Sequence, residues 1–208
     1  MKIIDLTLPI TEALVVWPGE KGLRTTTVRA FSKDQVHVSD LAIGAHTGTH
    51  LDAPKHFLPN GKPLESVPLD NLVGPCRVLK LEMGKRKDVR LEDLRRFNIK
   101  RGERLLFNLG NSTHLFAKRF HEDYVAIGNE AARFLAAQKI KLIGVDYLSV
   151  ERRGNPGHPV HVSLLKAGTA IVEGLNLQNV KPGKYTLVCL PLRIVGVEAS
   201  PVRAILLA

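Results

Sequence analysis

Nine short apolar segments bounded by turn residues, set against only three helical patterns, predict a strand-rich mixed α/β domain for this 208-residue chain. A hydrophobic share of 44% supplies a sizeable core and excludes a disordered, collagen-like or rod-like chain. No linker, low-complexity tract or internal repeat divides the sequence, so a single domain over residues 1–208 is expected.

Taken in order, strands are expected over residues 2–8, 23–30, 36–43, 76–81, 105–109, 141–145, 169–172, 185–190 and 201–207, where apolar residues alternate with polar ones or run together briefly. A short helix fits 91–97 and a better one 129–138. There Asn129 can cap, Glu130 suits the positive end of the helix dipole, and Phe134 and Leu135 share a face. A third helix covers 162–167 and ends at Gly168, which accepts the left-handed backbone of a helix exit. Strands outnumbering scattered helices argue against a doubly wound sheet.

Thirty Lys and Arg against 20 Asp and Glu leave a formal charge of +10, which raises nucleic acid or an anionic surface as a partner. The runs Lys85-Arg86-Lys87, Arg95-Arg96 and Lys100-Arg101 support that rival reading. No nucleic-acid motif accompanies them, and aromatics at 5% are thin for stacking bases, so solvated surface explains the runs better and no nucleic-acid partner is expected. Cys76 and Cys189 form no Cys-x-x-Cys pair and read as buried small hydrophobes. No run of about 18 apolar residues marks a membrane span. Asp5 and Glu12 interrupt any secretory h-region, so a soluble cytoplasmic protein is expected.

The most informative stretch is His46-Thr-Gly-Thr-His50-Leu-Asp52-Ala-Pro-Lys-His56, which holds three of the eight histidines. A bare His-x3-His also fits a polar loop whose imidazoles bond to backbone; Asp52 and His56 shift the reading toward metal. On one helix, His46 and His50 would face away from Asp52 and His56. In one straight strand all four share a face but spread over roughly 33 Å. Ligands must each come within about 2.0 to 2.2 Å of an ion, so the segment has to bend. Gly44, Gly48 and Pro54 stand where bending is cheap or helix is forbidden. A strand over 36–43 delivering a curled loop is therefore expected. Two imidazoles and one carboxylate begin a zinc or manganese site with open positions for water, and the absence of nearby thiolates favours catalysis over a structural zinc. A helix after His161 and a strand before Glu173, joined by a glycine turn, could bring these two together; by spacing alone, exposed polar residues are the default.

His46-x-Gly-Thr-His50-x-Asp52-x-Pro-x-His56, with His161-x-x-Leu-Leu and Glu173-x-Leu downstream, resembles the cyclase-type metal-dependent hydrolases, a family that includes bacterial kynurenine formamidases and isatin hydrolases. The resemblance extends to Trp17-Pro18-Gly19, Gly144-Val145-Asp146 with Ser149, Leu190-Pro191-Leu192 and Pro201-Val202-Arg203-Ala204, in family order over nearly the whole chain. It implies a swivelling β/β/α fold and a homo-oligomer, dimer or tetramer. It also implies that His46, His50 and Asp52 hold a first metal and His161 a second, with Asp52 and Glu173 able to contact both. His56 matches the catalytic proton carrier, and Trp17 the residue lining the substrate pocket. One or two zinc ions, or manganese, are the implied cofactors. Two departures bear on substrate. Asn108-Leu-Gly110-Asn111-Ser112 replaces an Arg-Thr-Gly-Trp-like turn, and Gly174 stands where relatives often carry Asn after the downstream Glu. Both put formylkynurenine specificity in question while leaving the metal chemistry intact.

The expected activity is hydrolysis of a small amide, an arylformamidase reaction on N-formylkynurenine or, as the alternative, opening of isatin or another cyclic amide. A dication acidifies water and polarises a carbonyl. A proton carrier then serves the leaving nitrogen. With two dications and two carboxylates the centre keeps a positive charge that suits an anionic substrate or product. A non-catalytic metal-binding protein of the same family is the remaining alternative.

Overall fold

Strand alternation closes on itself in this chain. The computed structural model describes residues 1–208. The first half supplies β1 (Ile3–Asp5), β2 (Arg24–Arg29), β3 (Val38–Ala42), β4 (His50–Asp52), β5 (Val73–Lys80), β6 (Asp88–Val89) and β7 (Arg104–Asn108). The second supplies β8 (Ala126–Ile127), β9 (Leu142–Val145), β10 (Ala170–Glu173), β11 (Gly183–Pro191) and β12 (Ala199–Leu207). Five helices intervene: α1 (Phe31–Asp34), α2 (Leu69–Leu72), α3 (Leu91–Arg95), α4 (Asn129–Ala137) and α5 (Pro159–Lys166). Seven strands pair in the cycle β12, β11, β5, β7, β9, β10, β4 and back to β12, while β1 flanks β12. From β5 through β10 neighbours run parallel; the pairings of β11, β12 and β4 are antiparallel. This is the strand-rich mixed α/β arrangement that the sequence predicts.

The period of two sorts the side chains. Leu51, Val78, Leu106, Leu142, Val172, Leu187 and Ala204 come from all seven strands and fill the barrel interior. The alternate residues Leu79, Leu105, Phe107, Ile143 and Ile171 face outward and are covered by Leu94 of α3, Leu135 of α4 and Leu164 of α5. Gly144 is a packing requirement, because a Cβ there would lie 2.5 Å from both Leu106 Cδ2 and Leu175 Cδ1. A third cluster, Leu8, Tyr124, Tyr147 and Leu148 with Trp17 and Phe120 against it, forms beside the barrel. Both cysteines are buried free thiols.

Four details differ from expectation. β4 occupies residues read as a curled loop, since a three-residue strand is too short to show a period. β5 and β12 begin earlier than expected because each contains a proline, Pro75 or Pro201, which reads as a break in sequence. The cap of α4 is Gly128, and Asn129 is its first helical residue. α5 begins at Pro159, a favoured first helical position, so His161 lies within the helix.

The replaced turn has a structural task. Buried Asp146 accepts hydrogen bonds from the amides of Leu109 (3.1 Å) and Asn111 (2.9 Å) and from the Ser112 hydroxyl (3.2 Å). Asn108 Nδ2 donates to the Leu177 carbonyl at 2.8 Å. Gly174 has φ +71°, and a Cβ on it would lie 2.5 Å from the Gly48 carbonyl oxygen. A side chain at 174 would therefore push on the loop that carries His50. Gly174→Ala is expected to lower stability by about 2 kcal/mol or more, measured as a shift in the urea midpoint. Gly110→Ala, with φ +84° but open space around it, should cost only about 1 kcal/mol.

Candidate functional site

The cluster is assembled at the seam where β4 closes the barrel. Glu173 of β10 stands opposite His50 and Ile171 opposite Asp52, while Pro201 and Ala199 of β12 flank the same two residues from the other side. Since Leu51 and Val172 point into the barrel, His50, Asp52 and Glu173 share its outer face. Gly48, at φ +69°, turns the chain into β4. Thr49 Oγ1 locks that turn by donating to the Gly174 carbonyl at 2.7 Å and accepting from the Leu8 amide at 3.0 Å. Beyond β4, Pro54 starts a single 3₁₀ turn that ends at His56 and brings its ring to 4.1 Å from that of His46, centroid to centroid. α5 covers this face and contributes His161.

Hydrogen bonds select the nitrogens that face inward. His50 Nδ1 lies 3.0 Å from the Gly48 carbonyl, which can only accept, so Nε2 is left 3.4 Å from Glu173 Oε2 and 3.5 Å from Asp52 Oδ1. His161 Nδ1 lies 2.7 Å from Glu151 Oε2, and its Nε2 lies 3.3 Å from Glu173 Oε1. His46 Nδ1 approaches Asp52 Oδ1 at 3.1 Å, but out of line for a hydrogen bond, and both buried Asp52 oxygens lack an aligned donor. Such a carboxylate is costly unless something else satisfies it.

The charges respond to one another. Burial opposes a charge on His50, yet the hydrogen bond to Glu173 and the charge of Asp52 carry it up to about 9. Burial opposes a charge on His161 as well; Glu151 and Glu173 lift it to about 9. Against the opposing effect of burial, His46 and His50 hold Asp52 below its ordinary value, and His161 and His50 do the same for Glu173. His56 behaves differently: burial and the neighbouring histidines push it down to about 4. Without a cation, protons on His50 and His161 thus balance two buried carboxylates. A divalent cation can supply that charge instead, and the donor set of imidazole nitrogens and carboxylate oxygens is one that zinc or manganese accepts. The orphaned oxygens of Asp52 and the inward-facing nitrogens fit such an ion. Donor atoms of His50, Asp52 and Glu173 lie within 4.8 Å of one another, as do those of His46, Asp52 and His56.

Of the residues singled out in sequence, Trp17, His46, His50, His56, His161 and Glu173 line one cavity of about 130 Å³, with Asp52 buried beneath them. Neither Gly174 nor the 108–112 turn is among its lining residues, so the two departures from the family pattern act on packing and not on the cavity wall. Two contributors went unread. Glu151 is buried and accepts from His161 Nδ1, from the Val160 amide (3.1 Å) and from Asn155 Nδ2 (2.6 Å). Phe57 packs its ring 4.2 Å from that of His161. Only the fold brings a carboxylate ten residues upstream onto this histidine; Phe57, adjoining His56, was the more findable.

The Cyclase family model matches residues 4–152. Over 208 residues the chain is 35% identical to a kynurenine formamidase of Salinibacter ruber, covering 99% of this chain and 97% of that protein. It is 32% identical to a kynurenine formamidase of Bacillus cytotoxicus, covering 98% and 96%. A solved structure described as a predicted metal-dependent hydrolase from Bacillus stearothermophilus superposes with TM-score 0.86 at 37% identity, over 99% of this chain and 97% of that one. Isatin hydrolase A from Labrenzia aggregata, at 24% identity and TM-score 0.82 over 99% and 93%, shares the fold.

If a cation replaces the protons on His50 and His161, then zinc uptake by chelator-treated protein at pH 7.5 releases about one to two protons. Calorimetry in buffers of different ionisation enthalpy reads this release. Asp52→Ala is expected to abolish the uptake.

Proposed function

This chain belongs to the cyclase family, and from that membership and the geometry of its buried cluster we propose that it is an arylformamidase, a metal-dependent hydrolase that converts N-formylkynurenine to kynurenine and formate. The observation that carries the metal-dependent part is Asp52, a buried carboxylate without an aligned donor among histidines that open onto a cavity walled by Trp17. The relatives that match this chain from end to end are named kynurenine formamidases, and kynurenine is the product of the proposed reaction.

In this reading His46, His50, Asp52, His161 and Glu173 would hold one or two cations, zinc or manganese. A bound dication lowers the pKa of water from 15.7 to about 7 and polarises a carbonyl. The chain supplies the rest. Glu151 keeps the His161 Nδ1 proton in place, which fixes Nε2 as the inward lone pair. Gly48 does the same for His50 through its carbonyl. His56, neutral near pH 7, carries a free lone pair on its ring. It takes a proton from the attacking water and returns it to the leaving aryl nitrogen. Trp17, braced edge-on by Phe120 at 5.0 Å, offers a flat apolar wall to the substrate ring.

A homo-oligomer belongs to the same proposal. It is supported by the β2–β3 hairpin, which leaves Val28, Phe31, Val38 and Leu41 exposed. No helix is long and apolar enough to cross a membrane. A cytoplasmic setting is also proposed, and the buried thiols of Cys76 and Cys189 suit it.

His56→Ala separates proton carrier from ligand. Turnover of N-formylkynurenine should fall at least about 100-fold while metal content by mass spectrometry stays at the wild-type level. Loss of metal together with turnover would instead make His56 a ligand.

A further inference from the structure

Two opposite charges line the cavity without an ion-pair partner. The first is Glu20. Residues Trp17-Pro18-Gly19-Glu20 form a turn closed by the Glu20 amide donating to the Trp17 carbonyl at 3.0 Å, with Gly19 at φ +96°. Proline in the second position and glycine in the third are what a type II turn requires. The turn folds Glu20 back beside Trp17, and both residues line the cavity. Its carboxylate makes no ion pair, although its charge reaches His46.

The second is Arg152. Nη1 donates to the Tyr124 carbonyl, and Cζ lies 5.1 Å from the centre of the Tyr124 ring. These contacts fix the guanidinium while leaving its charge unpaired; the adjacent Arg153, by contrast, is bound to Glu122. The rings that brace Trp17 lead directly to it, from Phe120 at 5.0 Å from Trp17 to Tyr124 at 5.8 Å from Phe120. One aromatic seam therefore carries the apolar wall at one end and an anchored cation at the other.

We propose that Glu20 and Arg152 form a subsite for an α-amino-acid head group, Glu20 taking the ammonium and Arg152 the carboxylate. The proposal rests on the arylformamidase reading. N-formylkynurenine carries such a head group on the chain ortho to its formamide, whereas isatin and simple formanilides carry neither charge. A planar fork that is already held in place binds a carboxylate with little further ordering. Glu20 is exposed, so its share of the attraction weakens with salt.

The test compares kcat/KM for N-formyl-L-kynurenine with that for 2′-formamidoacetophenone, which keeps the ring, ketone and formamide and lacks the amino-acid group. Glu20→Gln and Arg152→Gln should each lower the ratio of the two values about 10-fold, mainly through KM for N-formylkynurenine. Glu20→Gln, at an exposed turn position, keeps the test sound if Arg152→Gln perturbs Tyr124. Binding of the products, L-kynurenine against 2′-aminoacetophenone, is measured by calorimetry in the same proteins. A ratio that does not change in either variant, or wild-type protein that binds both products equally or neither, overturns the subsite. If the wild type hydrolyses neither formamide yet prefers L-kynurenine, and Glu20→Gln removes that preference, the subsite stands and the arylformamidase reading falls.

Discussion

Three residues, His50–Asp52, bond to β10 on one side and to β12 on the other, and this short pairing closes a seven-stranded barrel. Register does the rest. A slip of one residue would exchange the faces, bringing Leu51 out and turning His50 and Asp52 into the apolar interior. The interior cannot admit them, because Leu51 belongs there to one packed apolar cluster with Val172, Leu142 and Val202. Packing of the barrel core therefore fixes which side chains reach the outer face, and Glu173 is delivered opposite His50 by the same register. Gly174 then lets two backbones approach where any side chain on it would meet the Gly48 carbonyl oxygen.

Asp52 and Glu173 share one face of this seam, their ligand atoms within 4.8 Å of each other, and both are buried. Two buried carboxylates repel and lose hydration, so the fold tolerates them only with compensating positive charge. The imidazoles can supply it as protons, but then both His50 and His161 must stay charged while buried. A dication concentrates the same charge at one point and frees those nitrogens to act as ligands. Glu151 belongs to this balance too, since its carboxylate holds the outer nitrogen of His161 and so sets which lone pair turns inward. His56 stands at the edge of the cluster, where burial and the neighbouring histidines disfavour a proton on it. That difference separates a residue suited to carry protons from those suited to hold charge.

Much of the fold was legible in sequence because a compact apolar run marks β7 and partial alternation marks β11. What escaped was short or lay at a breaker: β4 has three residues, the missed first residues of β5 run through Pro75, and those of β12 precede Pro201. The cluster 46–56 was legible because its spacing rules out both a straight helix and a straight strand. Glu151 was not, since nothing local ties it to His161; only the return of the chain through α5 does. The two departures from the family pattern illustrate the reverse case. They look like changes of specificity in sequence, but Gly174 and the 108–112 turn serve backbone approach and the Asp146 hydrogen bonds. The excess of ten positive charges pointed toward nucleic acid, yet the cation that matters for the proposed substrate is the single anchored Arg152.

The central claim is that the β4 seam holds a catalytic divalent cation. Anomalous diffraction from crystals of protein purified without chelators, recorded on both sides of the zinc and manganese absorption edges, tests it most directly. The account predicts an anomalous peak enclosed by His46, His50, Asp52, His161 and Glu173, with one of these five side chains or more within about 2.3 Å of it. A fully ordered seam with no peak after soaking in either metal, or a stoichiometric peak elsewhere on the molecule, would contradict it.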